Sequence, residues 1–89
     1  MFKKQYIKKC DALCMSPLTQ DDIVELCKCL PKYKKKTYLQ LLSHFRIELQ
    51  KMCCESYLAT QTLNDLWLMF YMHEKDGKVW NEGKNKWMD

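Results

Sequence analysis

Glycine and proline are scarce, with two of each in 89 residues. Hairpin turns draw heavily on both, so the scarcity argues against a fold built from many short strands. Long apolar runs are missing too. The longest, Leu66 to Met72, has seven residues, against the roughly 20 that a membrane-spanning helix needs. The basic opening, Met1-Phe2-Lys3-Lys4-Gln5-Tyr6-Ile7-Lys8-Lys9, has no apolar stretch behind it of the kind a secretory signal carries. The sequence therefore predicts a soluble, cytoplasmic protein that does not enter a membrane. It also contains no Cys-x2-Cys pair, glycine-rich phosphate loop, nucleophile elbow or zincin motif. Its paired carboxylates fall at helix starts or on solvated faces, and a small single core rarely forms a catalytic cleft. The expectation is a protein that is not an enzyme and uses no cofactor or metal.

Six cysteines are present, which in a short chain raises the question of a disulfide scaffold or a zinc site. Their placement argues against both. Cys10, Cys14, Cys27, Cys29, Cys53 and Cys54 fall inside helical patterns, where they replace small apolar residues. Cys10 and Cys14, one helical turn apart, could form half a metal site. Cys27 and Cys29 lie about 200° apart around a helix and could not form the other half. His44 and His73 stand alone. The expected state is six free, buried thiols in a reducing compartment.

An apolar fraction of 47% with 29% charged residues is that of a globular domain with its own core. The strongest pattern lies between Tyr38 and Tyr57. Tyr38, Leu42, Phe45, Leu49, Met52 and Cys53 recur at steps of three and four, with Leu39 and Leu41 widening the band. This period is helical, and Gln40, His44, Glu48, Lys51 and Glu55 fall on the opposite, solvated face. A first helix places Phe2, Tyr6, Cys10 and Leu13 on one side and ends before Ser16-Pro17. A second starts at Thr19, with Asp22 completing a short capping box, and buries Ile23, Leu26, Cys27 and Leu30 before Pro31 stops it. The long helix is expected to reach Leu58 to Thr60. Thr60 or Thr62 then caps a fourth, in which Leu63, Leu66, Trp67 and Phe70 form one face. Leu68, Met69, Tyr71 and Met72 make that helix apolar nearly all round, as in a buried central helix. A strand over Trp67–Met72 turning at Asp76-Gly77 is the competing reading, disfavoured by the spacing and by Asp65.

These elements predict an all-α fold, a compact bundle of about four helices over residues 1–77, with a C-terminal β-hairpin as the minor alternative. Residues 78–89 have no period and read as an irregular tail packing on the domain or on a partner.

Charge and aromatic content suggest two functions. Trp80, Trp87 and Met88 lie outside the periodic helices and are candidate anchors for another protein, since Trp and Met bury large areas at interfaces. On this reading the chain is a regulator or inhibitor of a larger partner. The alternative uses two lysine clusters, Lys3, Lys4, Lys8 and Lys9 with Lys32, Lys34, Lys35 and Lys36. If the first helix packed beside the start of the third, they would merge into one surface for nucleic acid, with Tyr33 and Tyr38 placed to stack on bases. The second and third helices have a loose helix-turn-helix outline, without a turn glycine. Self-association through the fourth helix is compatible with either function.

Purified under reducing conditions, the chain should titrate six thiols in denaturant and contain no stoichiometric metal. Zinc at one equivalent by elemental analysis would overturn this reading of the cysteine spacing.

Overall fold

Three helices begin with the same local device. In the computed structural model, which describes residues 2–89, Thr19, Thr37 and Thr62 each cap a helix through reciprocal hydrogen bonds with the residue three positions on. The Thr19 hydroxyl accepts from the Asp22 N–H at 3.2 Å, and the Asp22 carboxylate accepts from the Thr19 N–H at 3.0 Å. Gln40 and Asp65 play the same part for Thr37 and Thr62. Each box satisfies two of the amide donors that a helix start leaves unpaired. The helices are α1 (Lys4–Asp11), α2 (Gln20–Lys28), α3 (Tyr38–Met52), α4 (Glu55–Ala59) and α5 (Leu63–Asp76). A small antiparallel hairpin follows, β1 (Val79–Asn81) with β2 (Lys86–Met88). The fold is thus helical and compact, as the sequence predicts.

The apolar α5 is the centre. It packs against α2, α3 and β1, and Trp67, Leu68, Met69, Phe70 and Met72 are all buried. The Trp67 and Phe45 rings stack with centroids 4.0 Å apart, and Phe70 meets both edge-on at 5.5 and 5.9 Å. Edge-to-face and offset contacts of this kind add to the burial of the rings themselves. Gly77 ends the helix in the left-handed conformation, φ 67°, so the Asp76-Gly77 pair follows a helix C-terminus and forms no hairpin turn.

Four sequence expectations need correction. The long helix stops at Met52, because Cys53 and Cys54 adopt extended backbone before the short α4 begins. The break brings Leu58 against the core and lets the Tyr57 hydroxyl donate to Glu82 at 3.1 Å. The buried stripe of α3 runs through Leu41, Phe45 and Leu49, while Tyr38 and Leu39 are exposed. Residues 78–89 are more ordered than an irregular tail. Val79 pairs with Met88, Trp80 with Trp87 and Asn81 with Lys86, and Asn85 supplies the left-handed residue (φ 52°) before β2. Tyr33 belongs to the core: it is 1% exposed, packs on Phe70 and His44, and donates its hydroxyl to Glu74.

The main polar feature of the interior joins distant parts of the chain. Lys9 is fully buried and its Nζ donates to Asp65 at 3.0 Å and to Gln61 at 2.9 Å. The second oxygen of Asp65 accepts from the Thr62 N–H and hydroxyl. The indole N–H of Trp87 donates to the Lys9 carbonyl at 3.1 Å, which fastens β2 to α1. Removing one member of a buried ion pair leaves an uncompensated charge, which costs about 3–5 kcal/mol.

Urea titrations should therefore separate residues that look alike in the sequence. Lys9→Met should cost about 3–5 kcal/mol and Lys8→Met less than about 0.5. Leu49→Ala and Phe45→Ala should each cost about 2–5 kcal/mol. Gln40→Ala should cost about 0.5–1 kcal/mol through its lost cap, with exposed Lys51→Ala near zero. Equal effects at Lys8 and Lys9 would contradict the buried pair.

Candidate functional site

The residues expected to contact a partner fall into different environments. Trp80 and Trp87 face each other across the hairpin, ring centroids 5.3 Å apart and edge to face. Trp87 is committed inward, through its hydrogen bond to Lys9 and its packing on the core. Met88 is half-buried beside it. Trp80 instead lines a surface cavity of about 380 Å³.

Four parts of the fold line that cavity: Met52, Cys53 and Cys54 where α3 breaks, Tyr57 of α4, Met69 of α5, and Val79, Trp80 and Glu82 of the hairpin. Its size lies near the lower end of ordinary ligand pockets. Among the described residues the lining is mainly apolar and polarisable, with one carboxylate and no basic side chain. Burial raises the Tyr57 phenol above its usual range, and its hydrogen bond to Glu82 raises it further. The phenol therefore stays protonated and holds the Glu82 carboxylate in place.

The two thiols of the wall differ. Burial raises the Cys53 thiol and the neighbouring Cys54 adds to this, while the Lys9 charge opposes both. Cys54 is exposed, as are Cys14 and Cys29, which corrects the expectation of buried thiols because these three fall at helix ends or in turns. The Ser56 hydroxyl lies 3.3 Å from the Cys54 sulfur. Donation from Ser56, and then from the Tyr57 N–H, lowers the Cys54 thiol below its ordinary value. Cys27, by contrast, is pushed up to about 12 by burial and by the charge of Glu74. Sequence reasoning singled out Trp80 but missed Cys54, Tyr57 and Glu82. Only the break after Met52 brings Cys54 and Tyr57 to the hairpin that carries Glu82, and neither glycine nor proline marks that break.

The lysine clusters are rearranged as well. Lys3, Lys4, Lys8, Lys32, Lys34, Lys35 and Lys36 are exposed, while Lys9 is removed from the surface by Asp65. α1 is not in extensive contact with α3, so the packing that would merge the clusters, α1 along the start of α3, is not seen among the described residues. Tyr33 is buried, and Tyr38, half exposed, has Lys28 5.9 Å from its ring. Lys32 itself reaches Glu74 at 3.4 Å.

A second polar group surrounds Glu74, which accepts from Tyr33 and lies 3.9 Å from His73 Nδ1. That nitrogen has no hydrogen-bond partner among the described residues. Burial, then the bond to Glu74, holds the Tyr33 phenol protonated. Among the described residues, no group of three or more His, Cys, Asp or Glu side chains is arranged to hold a metal ion, and no helix is long and apolar enough to cross a membrane.

Thiolate is the species that reacts with alkylating agents, so Cys54 should be modified by iodoacetamide ahead of Cys10, Cys27 and Cys53 in the folded protein. Peptide mapping after brief exposure at neutral pH reads the order. Faster labelling of Cys53 than of Cys54 would contradict the assignment of the two thiols.

No family model matches this chain, and no curated protein or solved structure is similar to it.

Proposed function

We propose that this protein is a non-catalytic binding module that recognises another protein through the cavity beside Trp80. The observation that carries this reading is the cavity itself: about 380 Å³ of largely apolar space at the surface, walled by Met52, Met69, Tyr57 and Trp80. Large aromatic and Met side chains around a concavity are the usual anchors of protein recognition. The rigid hairpin supports it, because Trp87 is fixed to α1 and Trp80 packs on Trp87. A regulator or inhibitor would work through such a surface by occupying part of a larger partner.

The second reading is nucleic-acid binding through the exposed Lys34–Lys36 segment, which leads into α3. It is disfavoured by the burial of Lys9 and Tyr33, which removes one lysine and one aromatic from the surface. Fewer clustered phosphate contacts mean weaker counterion release.

Comparison of captured proteins from nuclease-treated and untreated lysate of the native host distinguishes the two. A protein partner should be retained after nuclease treatment, lost from Trp80→Ala and kept by the triple change of Lys34, Lys35 and Lys36 to Glu. Exposed charges steer encounter more than they hold a complex. Capture abolished by nuclease or by the lysine changes, and indifferent to Trp80, would establish the second reading instead.

A further inference from the structure

Among the described residues Glu82 is the only carboxylate that lines the Trp80 cavity, which no lysine or arginine of the chain lines, and the chain that carries it has a net charge of +4. Several carboxylates elsewhere, at Asp65, Glu74, Glu48 and Asp89, lie within 4.0 Å of a lysine nitrogen. Among the described residues Glu82 has no such partner. Its one hydrogen bond comes from the Tyr57 hydroxyl to Oε1, at 3.1 Å. A phenol supplies a proton but no charge, so the exposed carboxylate brings a negative charge to the cavity with no basic partner among the described residues.

The rest of the lining suits the complementary group. Trp80 and Tyr57 present π systems, and a cation over an indole or phenol face is attracted by the ring quadrupole. Met52 and Met69 offer apolar, adaptable walls for a hydrocarbon stem. A purely apolar occupant would leave the carboxylate unused, and an anion would be repelled by it.

We infer that the cavity receives a lysine or arginine side chain of a partner protein, its stem against Met52 and Met69 and its charged head shared by Trp80 and Glu82. This rests on the reading of the cavity as a recognition site and names what enters it. The two long basic side chains have the required form, an apolar stem ending in a charge. The surface lysines of this chain then act in the opposite sense: they discourage broadly basic partners, so that a single basic residue in a neutral or acidic surrounding fits best.

Butylguanidinium is a direct probe, with pentanol as the uncharged comparison. Titration of the full chain is followed by NMR at the Trp80 indole N–H, with the Trp87 indole as internal reference. Butylguanidinium should shift Trp80 and leave Trp87 nearly unmoved, with pentanol binding roughly tenfold more weakly. Glu82→Gln keeps an acceptor for Tyr57 and removes the charge. It should reduce butylguanidinium affinity roughly tenfold, about 1.4 kcal/mol, and leave pentanol unchanged. Equal binding of the two probes, or no effect of Glu82→Gln, would overturn the cationic occupant while the cavity remained a recognition site. Failure of both probes to move Trp80 would overturn the cavity reading as well.

Discussion

A lysine ammonium with no contact to water is the constraint around which this fold is arranged. Taking Lys9 and Asp65 out of solvent costs several kcal/mol per ion before their attraction is counted. The pair is tolerable only if the remaining hydrogen-bonding capacity is used. Gln61 accepts from the same ammonium, and Thr62 donates twice to the far oxygen of Asp65. Thr62 and Asp65 are also the capping box of α5, so the start of the central helix and the seat of the ion pair are the same four residues. α1 cannot shift along α5 without stripping Lys9 of its acceptors.

The candidate site is a remote result of that arrangement. α1 fixes Trp87 through the Lys9 carbonyl, Trp87 positions Trp80 across the hairpin, and Trp80 closes the cavity left where α3 breaks. Its opposite wall depends on Cys53 and Cys54 leaving the helical conformation. Three segments that are separate in sequence are thus held to one small concavity by one buried charge and one indole.

What was legible in the sequence was local. The Thr19–Asp22 box and a Thr62 cap rest on interactions spanning a few residues, and the structure contains both. The helix of α5 was legible only against a competing strand, through the spacing that continues from Leu63 and through Asp65. What depends on distant partners was not legible. Lys9 sits in a basic run and resembles its neighbours Lys8 and Lys4; only Asp65, 56 positions later, distinguishes it. Tyr33 lies among lysines, and only Phe70, His44 and Glu74 draw it inward. The apolar period of α3 continues past Met52 on paper, because no glycine or proline interrupts it. Of the site, Trp80 was visible as an unplaced aromatic, while Tyr57 and Glu82 looked like ordinary helix and tail residues.

The bond between the Trp87 indole and the Lys9 carbonyl spans 78 positions, and the Lys9–Asp65 pair spans 56. During synthesis at about 5–20 residues per second, Lys9 therefore waits roughly 3–11 s for its carboxylate to be made. The pair that seats α1 can therefore close only once the start of α5 has been made.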